Sequence, residues 1–215
     1  MKAILWDLDD TLLDTLSGRM RALEHAHEEC LGRKVDPVAL WRSHRGGTIE
    51  DLAVRLLGAD SARFVATYRD YYFTTAHEIR PYAGVEEVLA TFAADHIPMC
   101  VVTSKIAWGA TAELDRAGLL QYFEGVVGFD DTDLHKPDPE PVFAALDRLC
   151  LTAEPDVLFV GDSPADVWAA RNAGVRSAAA LWGTLDEELL LDANPDHRAR
   201  TPADVLEIIR QGVAR

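Results

Sequence analysis

The sequence predicts an α/β fold: a parallel sheet with helices on both faces and a helical segment inserted after the first strand. Three observations predict it. Short apolar runs recur and end in small or acidic residues, most of them are followed by a helical pattern, and one long early stretch holds no strand pattern at all.

The first run, residues 3–6, is continuous rather than alternating, as in a strand covered on both faces. Runs at 99–102, 125–127 and 157–160 and a weaker one at 177–181 repeat the pattern. Strand alternating with helix implies parallel pairing, because each crossover helix returns the chain in the same direction. Between about 16 and 79 only amphipathic helical pattern is present, at 21–31, 49–57 and 62–73. The chain leaves that stretch through Arg80-Pro81-Tyr82-Ala83-Gly84, whose proline and glycine mark a boundary. The expected division is a core domain of residues 1–15 and 81–215 and an all-helical domain of residues 16–80. Tyr68, Tyr71, Tyr72 and Phe73 read as the packed face of a helix in that insertion, and the spacing of His25 and His44 does not suggest zinc.

Composition narrows the function. With 215 residues, 48% hydrophobic and 27% charged, the chain is long and apolar enough for a buried core. Its net charge of -15, from 36 acidic against 21 basic residues, argues against nucleic acid or an anionic membrane as the main partner. A phosphorylated substrate would be repelled by that field, so its site must concentrate positive charge locally. Cys30, Cys100 and Cys150 are odd in number and widely spaced, which fits free thiols in a reducing cytoplasm. Acid arrives at Asp7, too early for a secretory segment, and no apolar run is long enough to span a bilayer.

Ligands of open parallel sheets bind beyond the carboxyl ends of the strands, and four such ends carry reactive groups. Asp7-Leu8-Asp9-Asp10-Thr11-Leu12 places two carboxylates on one side of an extended strand end. Such a pair suits phosphoryl transfer, one acid attacking phosphorus while the other handles the proton. Thr103-Ser104-Lys105 follows the second run and offers a hydroxyl and free N–H groups to an anion. Lys136 lies in His135-Lys136-Pro137-Asp138-Pro139, a loop stiffened by two prolines. Gly161-Asp162-Ser163-Pro164-Ala165-Asp166 presents two acids to one cation, and hard oxygen donors favour Mg²⁺. Each group also has a purely structural reading, as turn aspartates, an N-cap, a solvated lysine and a helix start. Their joint occurrence at four strand ends favours chemistry.

On these motifs, Asp7-x-Asp9-x-Thr11, Thr103, Lys136 and Gly161-Asp162-x-x-x-Asp166, the chain resembles the haloacid dehalogenase superfamily along essentially its whole length. It looks closest to the phosphatase branch with a helical cap, among phosphoglycolate-phosphatase-like members. The resemblance implies a Rossmann-like core and a cap that closes the site and chooses the leaving group. It further implies that Asp7 is the nucleophile, Asp9 the general acid and base, and Lys136 the cation that neutralises nucleophile and phosphate. Thr103 with the Ser104 backbone would hold the phosphoryl oxygens, and Lys105 points to small phosphorylated acids as substrates. Mg²⁺ would be bound by Asp7, the carbonyl of Asp9 and Asp162, with Asp166 supporting it. Dehalogenases do not need an acid at the Asp9 position, since a halide leaves without a proton, so Asp9 favours phosphoryl transfer. Many members carry glycine where this chain has Asp10, which leaves the local turn geometry open.

The expected function is therefore a Mg²⁺-dependent phosphatase acting on a small phosphorylated metabolite through an aspartyl phosphate, with Arg45-Gly46-Gly47 as the substrate-facing turn of the cap and a cap hinge loop as the competing reading of the same residues. Phosphoglycolate is the first expectation, with pyrophosphate, a nucleotide or a sugar phosphate beside it. A phosphosugar mutase and a non-catalytic phosphoacceptor module are the competing classes. No nucleic acid or membrane partner is expected, and the chain is expected to act as a monomer or homodimer.

Overall fold

The computed structural model describes residues 1–44 and 48–213. Contacts divide the chain into two compact units, one formed by residues 1–14 and 80 onward, the other by Thr15–Ile79. The chain opens with strand β1 (Ala3–Trp6) and the two-residue β2 (Leu13–Asp14). Helices α1 (Leu16–Leu31), α2 (Pro37–His44), α3 (Ile49–Leu57) and α4 (Ser61–Thr75) follow. After β3 (Arg80–Pro81) come α5 (Val85–Ala94), β4 (Met99–Val102), α6 (Ala107–Arg116), β5 (Gly125–Val127) and α7 (Glu140–Arg148). The chain closes with β6 (Val157–Gly161), α8 (Pro164–Ala173), β7 (Arg176–Ala180), α9 (Glu187–Asp192), β8 (His197–Ala199) and α10 (Pro202–Val213).

Six strands form one parallel sheet in the order β5-β4-β1-β6-β7-β8. Alternate residues of β1 face opposite ways. Ala3 and Leu5 pack with Cys100, Val102 and Phe159 against Val142, Ala145 and Leu146 of α7 and Ala169, Ala170 and Ala173 of α8. Trp6 turns the other way, its ring 6.4 Å from that of Phe92 on α5. Each large apolar side chain fully buried here contributes roughly 1.5–3 kcal/mol. From β1 the chain steps outward to β4 and β5, then returns across β1 to β6, β7 and β8. Crossovers in the two directions put helices on both faces, giving the Rossmann-like α/β core that the sequence predicts.

The register sets the site. Trp6 is level with Val101 of β4 and Val160 of β6, so the residues following all three strands emerge together at one edge, where the strand order reverses. Two elements escape the sequence reading. One is β8, whose three residues His197-Arg198-Ala199 carry no apolar run. The other is a two-stranded antiparallel ribbon, β2 with β3, pairing Leu13 with Pro81 and Asp14 with Arg80.

In the helical unit Met20, Leu23, Ala26, Leu52, Ala53 and Phe64 form a core of their own. Thr48 and Asp51 cap α3 reciprocally, the Thr48 hydroxyl accepting from the Asp51 N–H and the Asp51 carboxylate from the Thr48 N–H. Tyr72 is buried and Tyr68 packs on the core, while the Tyr71 ring stacks on His25. Arg45, Gly46 and Gly47, expected to face substrate, lie outside the described residues. Among the described residues no helix is long and apolar enough to cross a membrane.

Candidate active site

Beyond β1 the chain turns sharply through Asp10, whose φ of 61° lies in the left-handed region. Glycine adopts that conformation without strain and aspartate is among the few other residues that tolerate it. The turn is thus kept with Asp10 in the glycine's place. Two residues distant in sequence brace it. The Trp182 indole N–H donates to the Thr11 carbonyl at 2.9 Å, and a Cβ added at Gly183 would lie 1.6 Å from the Asp10 carbonyl oxygen. Only glycine lets that loop approach so closely.

The turn presents Asp7 and Asp9 to different partners. The Lys136 ammonium donates to Asp7 Oδ1 at 2.8 Å, to Asp166 Oδ1 at 2.6 Å and to the Val102 carbonyl at 3.2 Å. Its loop is fixed by stacking of the His135 ring on Phe129, 3.8 Å between centroids, and by a hydrogen bond from Asn172 to the Pro137 carbonyl. Asp7, Asp162 and Asp166 each offer a carboxylate oxygen, all within 4.8 Å of one another. The Thr11 hydroxyl donates to Asp162 Oδ1 at 3.2 Å.

Asp166 is held from two sides. Its Oδ2 accepts from the Ser163 N–H at 3.1 Å and the Ser163 hydroxyl at 2.6 Å, which closes a capping box at the start of α8 with Pro164 in its first turn. A Cβ at Gly161 would meet the Asp166 Cγ at 2.4 Å, which explains the glycine of the Gly161-Asp162 motif: the carboxylate folds back over its backbone.

Asp9 has a different partner. Lys105 donates to Asp9 Oδ1 at 2.8 Å and to Glu113 Oε2 of α6 at 2.5 Å. Expected as a substrate contact, Lys105 therefore has its ammonium between two carboxylates. Thr103 is buried, and its hydroxyl accepts from the Lys105 N–H at 3.1 Å. Ser104 is exposed. Helix α6 begins at Ala107 with Ile106 as its N-cap, so Thr103 shapes the preceding turn instead of capping the helix.

Charges follow from this sharing. Burial pushes the Asp7 carboxyl up to about 7; Lys136 opposes the rise and Asp166 adds to it. Burial also works against the charge of Lys136, yet Asp166 and Asp7 hold its ammonium well above the usual lysine value. Lys105 likewise overcomes its burial through Asp9 and Glu113. One ammonium divided between two carboxylates leaves each underserved, and the site holds more acid than base.

Glu113, Trp182 and Gly183 were not singled out from the sequence. A glutamate in an amphipathic helix reads as solvated, and the approach of Gly183 to Asp10 links positions too far apart to pattern.

Comparison with known proteins agrees with this architecture. The model of the haloacid dehalogenase-like hydrolase family matches residues 4–180. The PpaX protein of Caldanaerobacter subterraneus subsp. tengcongensis is 37% identical over 97% of this chain and 94% of its own length. The pyrophosphatase PpaX of Halalkalibacterium halodurans is 31% identical over 97% of both chains, and the phosphoglycolate phosphatase of Pectobacterium atrosepticum is 31% identical over 97% and 92%. A haloacid dehalogenase-like family hydrolase from Streptococcus pneumoniae superposes with a TM-score of 0.85 at 25% identity, covering 97% of this chain and 98% of that one. The chain belongs to the haloacid dehalogenase-like hydrolase family. Within it, the chain is a phosphatase-type hydrolase, similar to its phosphoglycolate-phosphatase members.

Proposed function

We propose that the chain removes the phosphoryl group of a small phosphorylated metabolite, with Asp7 as nucleophile and Mg²⁺ as cofactor. One observation carries this reading: Lys136 binds Asp7 and Asp166 together beside Asp162, so groups from three strand ends converge on the carboxylate at the end of β1. The three acids fit a divalent ion, since they are hard oxygen donors in one cluster and Lys136 alone undercompensates them. Asp7, Asp162 and the Asp9 carbonyl would hold it, and Asp166, already engaged by Lys136 and Ser163, would support it from behind. When bound, Mg²⁺ would offset the negative charge that keeps carboxylate and phosphate apart.

The chain's own groups then divide the work. An Asp7 oxygen forms a bond to phosphorus as the bond to the leaving oxygen breaks, and Asp9 gives its proton to that oxygen. Lys136 limits the repulsion between Asp7 and the incoming phosphate, while Thr103 and the Ser104 N–H orient the phosphoryl oxygens. In the second half Asp9, now a carboxylate, takes a proton from water as the water oxygen attacks phosphorus. The acyl phosphate breaks, phosphate leaves, and Asp7 is restored.

Phosphoglycolate and pyrophosphate are the substrates we propose first, in keeping with the relatives' names. Both carry a second anionic group. Because Lys105 is held by Asp9 and Glu113, the cation for that group is assigned to the helical insertion, with Arg45 and Gly46 as its residues.

The test is release of inorganic phosphate from a panel of phosphorylated metabolites with Mg²⁺ and no bisphosphate activator. Phosphoglycolate or pyrophosphate should be turned over, and D7N should lower kcat by about four orders of magnitude with the fold intact by circular dichroism. Turnover that requires a sugar bisphosphate would instead favour the mutase, and an active D7N would end the nucleophile assignment.

A further inference from the structure

Glu113 is 3% exposed, a full charge on the inward face of α6 among Gly109, Ala110 and Leu114. Burying a carboxylate costs several kcal/mol unless it is paired, so an apolar residue would serve packing better at that position. It forms an ion pair with the Lys105 ammonium, 2.5 Å away, which is also 2.8 Å from Asp9 Oδ1. Both side chains are nearly closed to solvent, at 14% exposure for Lys105 and 2% for Glu113.

A lysine has four rotatable side-chain bonds, and a single carboxylate leaves its ammonium free to swing about that partner. Two carboxylates fixed on different elements define one position. Glu113 is anchored on a helix and Asp9 on the turn after β1, so the glutamate determines where the lysine stands and the lysine determines how Asp9 is oriented.

We propose that Glu113 is a positioning residue: it pins the Lys105 ammonium so that Lys105, bound at Asp9 Oδ1, orients the Asp9 carboxyl group toward the leaving-group oxygen. The assignment rests on the reading of Asp9 as general acid and base. Glu113 itself touches neither substrate nor phosphorus. It acts through Lys105, and that distinguishes it from a residue that merely stabilises α6.

A double-mutant cycle on the full chain reads this directly, using E113Q, K105M and the pair, with p-nitrophenyl phosphate and Mg²⁺. E113Q should lower kcat about tenfold with KM changed less than about twofold, because orientation at the proton transfer is lost and binding is kept. In the K105M background the same substitution should change kcat by less than about twofold, since its lever is gone. Multiplying losses, or a wild-type kcat in E113Q, would overturn the proposal. Should E113Q fail to fold, E113D takes its place in the cycle with the same expected non-additivity, and additivity there overturns it equally. D9N is measured in parallel. An active D9N refutes the reading of Asp9, whereas an inactive D9N beside a fully active E113Q refutes Glu113 alone.

Discussion

Two buried lysines stand at the same sheet edge, and each divides its ammonium between two carboxylates. Lys136 serves Asp7 and Asp166, and Lys105 serves Asp9 and Glu113. The difference lies in what surrounds them. The Lys136 pair is joined by Asp162 in a three-acid cluster suited to a divalent ion, while the Lys105 pair lies outside that cluster. On the function proposed above, one arrangement would manage the charge of the attacking group, and the other would fix the direction of a proton carrier. The comparison teaches that the same ion-pair motif, repeated two residues apart along one turn, sits beside a candidate metal cluster in one case and away from it in the other.

Substituting each lysine by methionine separates the two roles. K136M should lower kcat by about a thousandfold or more, because the repulsion between Asp7 and phosphate is no longer offset. K105M should cost about ten- to a hundredfold. Steady-state kinetics on both variants checks this, and equal losses would break the comparison.

Protons and metal should compete at the Lys136 end. With the Asp7 carboxyl raised from 3.8 to about 7, its proton must leave before a cation binds. Apparent Mg²⁺ affinity should fall about tenfold per pH unit below 7 and level off above it, as titration calorimetry would show. The stability of the metal-free protein carries the opposite sign. A carboxyl with a raised folded-state value contributes stability that is full below 3.8 and is lost as pH rises through about 7. Thermal melts of the metal-free protein should show that decline. It should be absent in D7N, and in the wild type Mg²⁺ should reverse it above pH 7.

The smallest effect is expected at the brace. A methyl group in G183A would press on the Asp10 carbonyl and lower the melting temperature by about 5 °C, with a several-fold loss in kcat. Differential scanning calorimetry with kinetics checks both. An unaffected kcat would show that the turn holds its carboxylates without Gly183.

Much of this was legible because apolar runs and reactive residues alternate along the chain. The strands β1, β4, β5 and β6, and β7 after Arg176, are continuous runs of small or apolar residues, and continuity survives in a single sequence. β8 was invisible because only Ala199 of its three residues is apolar and it is held by pairing with β7. The ribbon of β2 and β3 is too short to have a period. At the site, Asp7, Lys136, Asp162 and Asp166 are marked by their places after strands. Lys105 was legible as a cation but not as one engaged by Glu113, because helical periodicity assigns a charged residue to solvent until a partner is seen.

The ribbon has a consequence for the architecture as a whole. Because Asp14 and Arg80 are paired neighbours, the points where the chain leaves the sheet unit and re-enters it lie side by side. The intervening helical stretch can thus be exchanged as a cassette: a graft of different length or sequence would join at the same two points and leave the pairing of every long strand untouched. The strand ends that carry Asp7, Lys136 and Asp162 would pass through such an exchange unchanged.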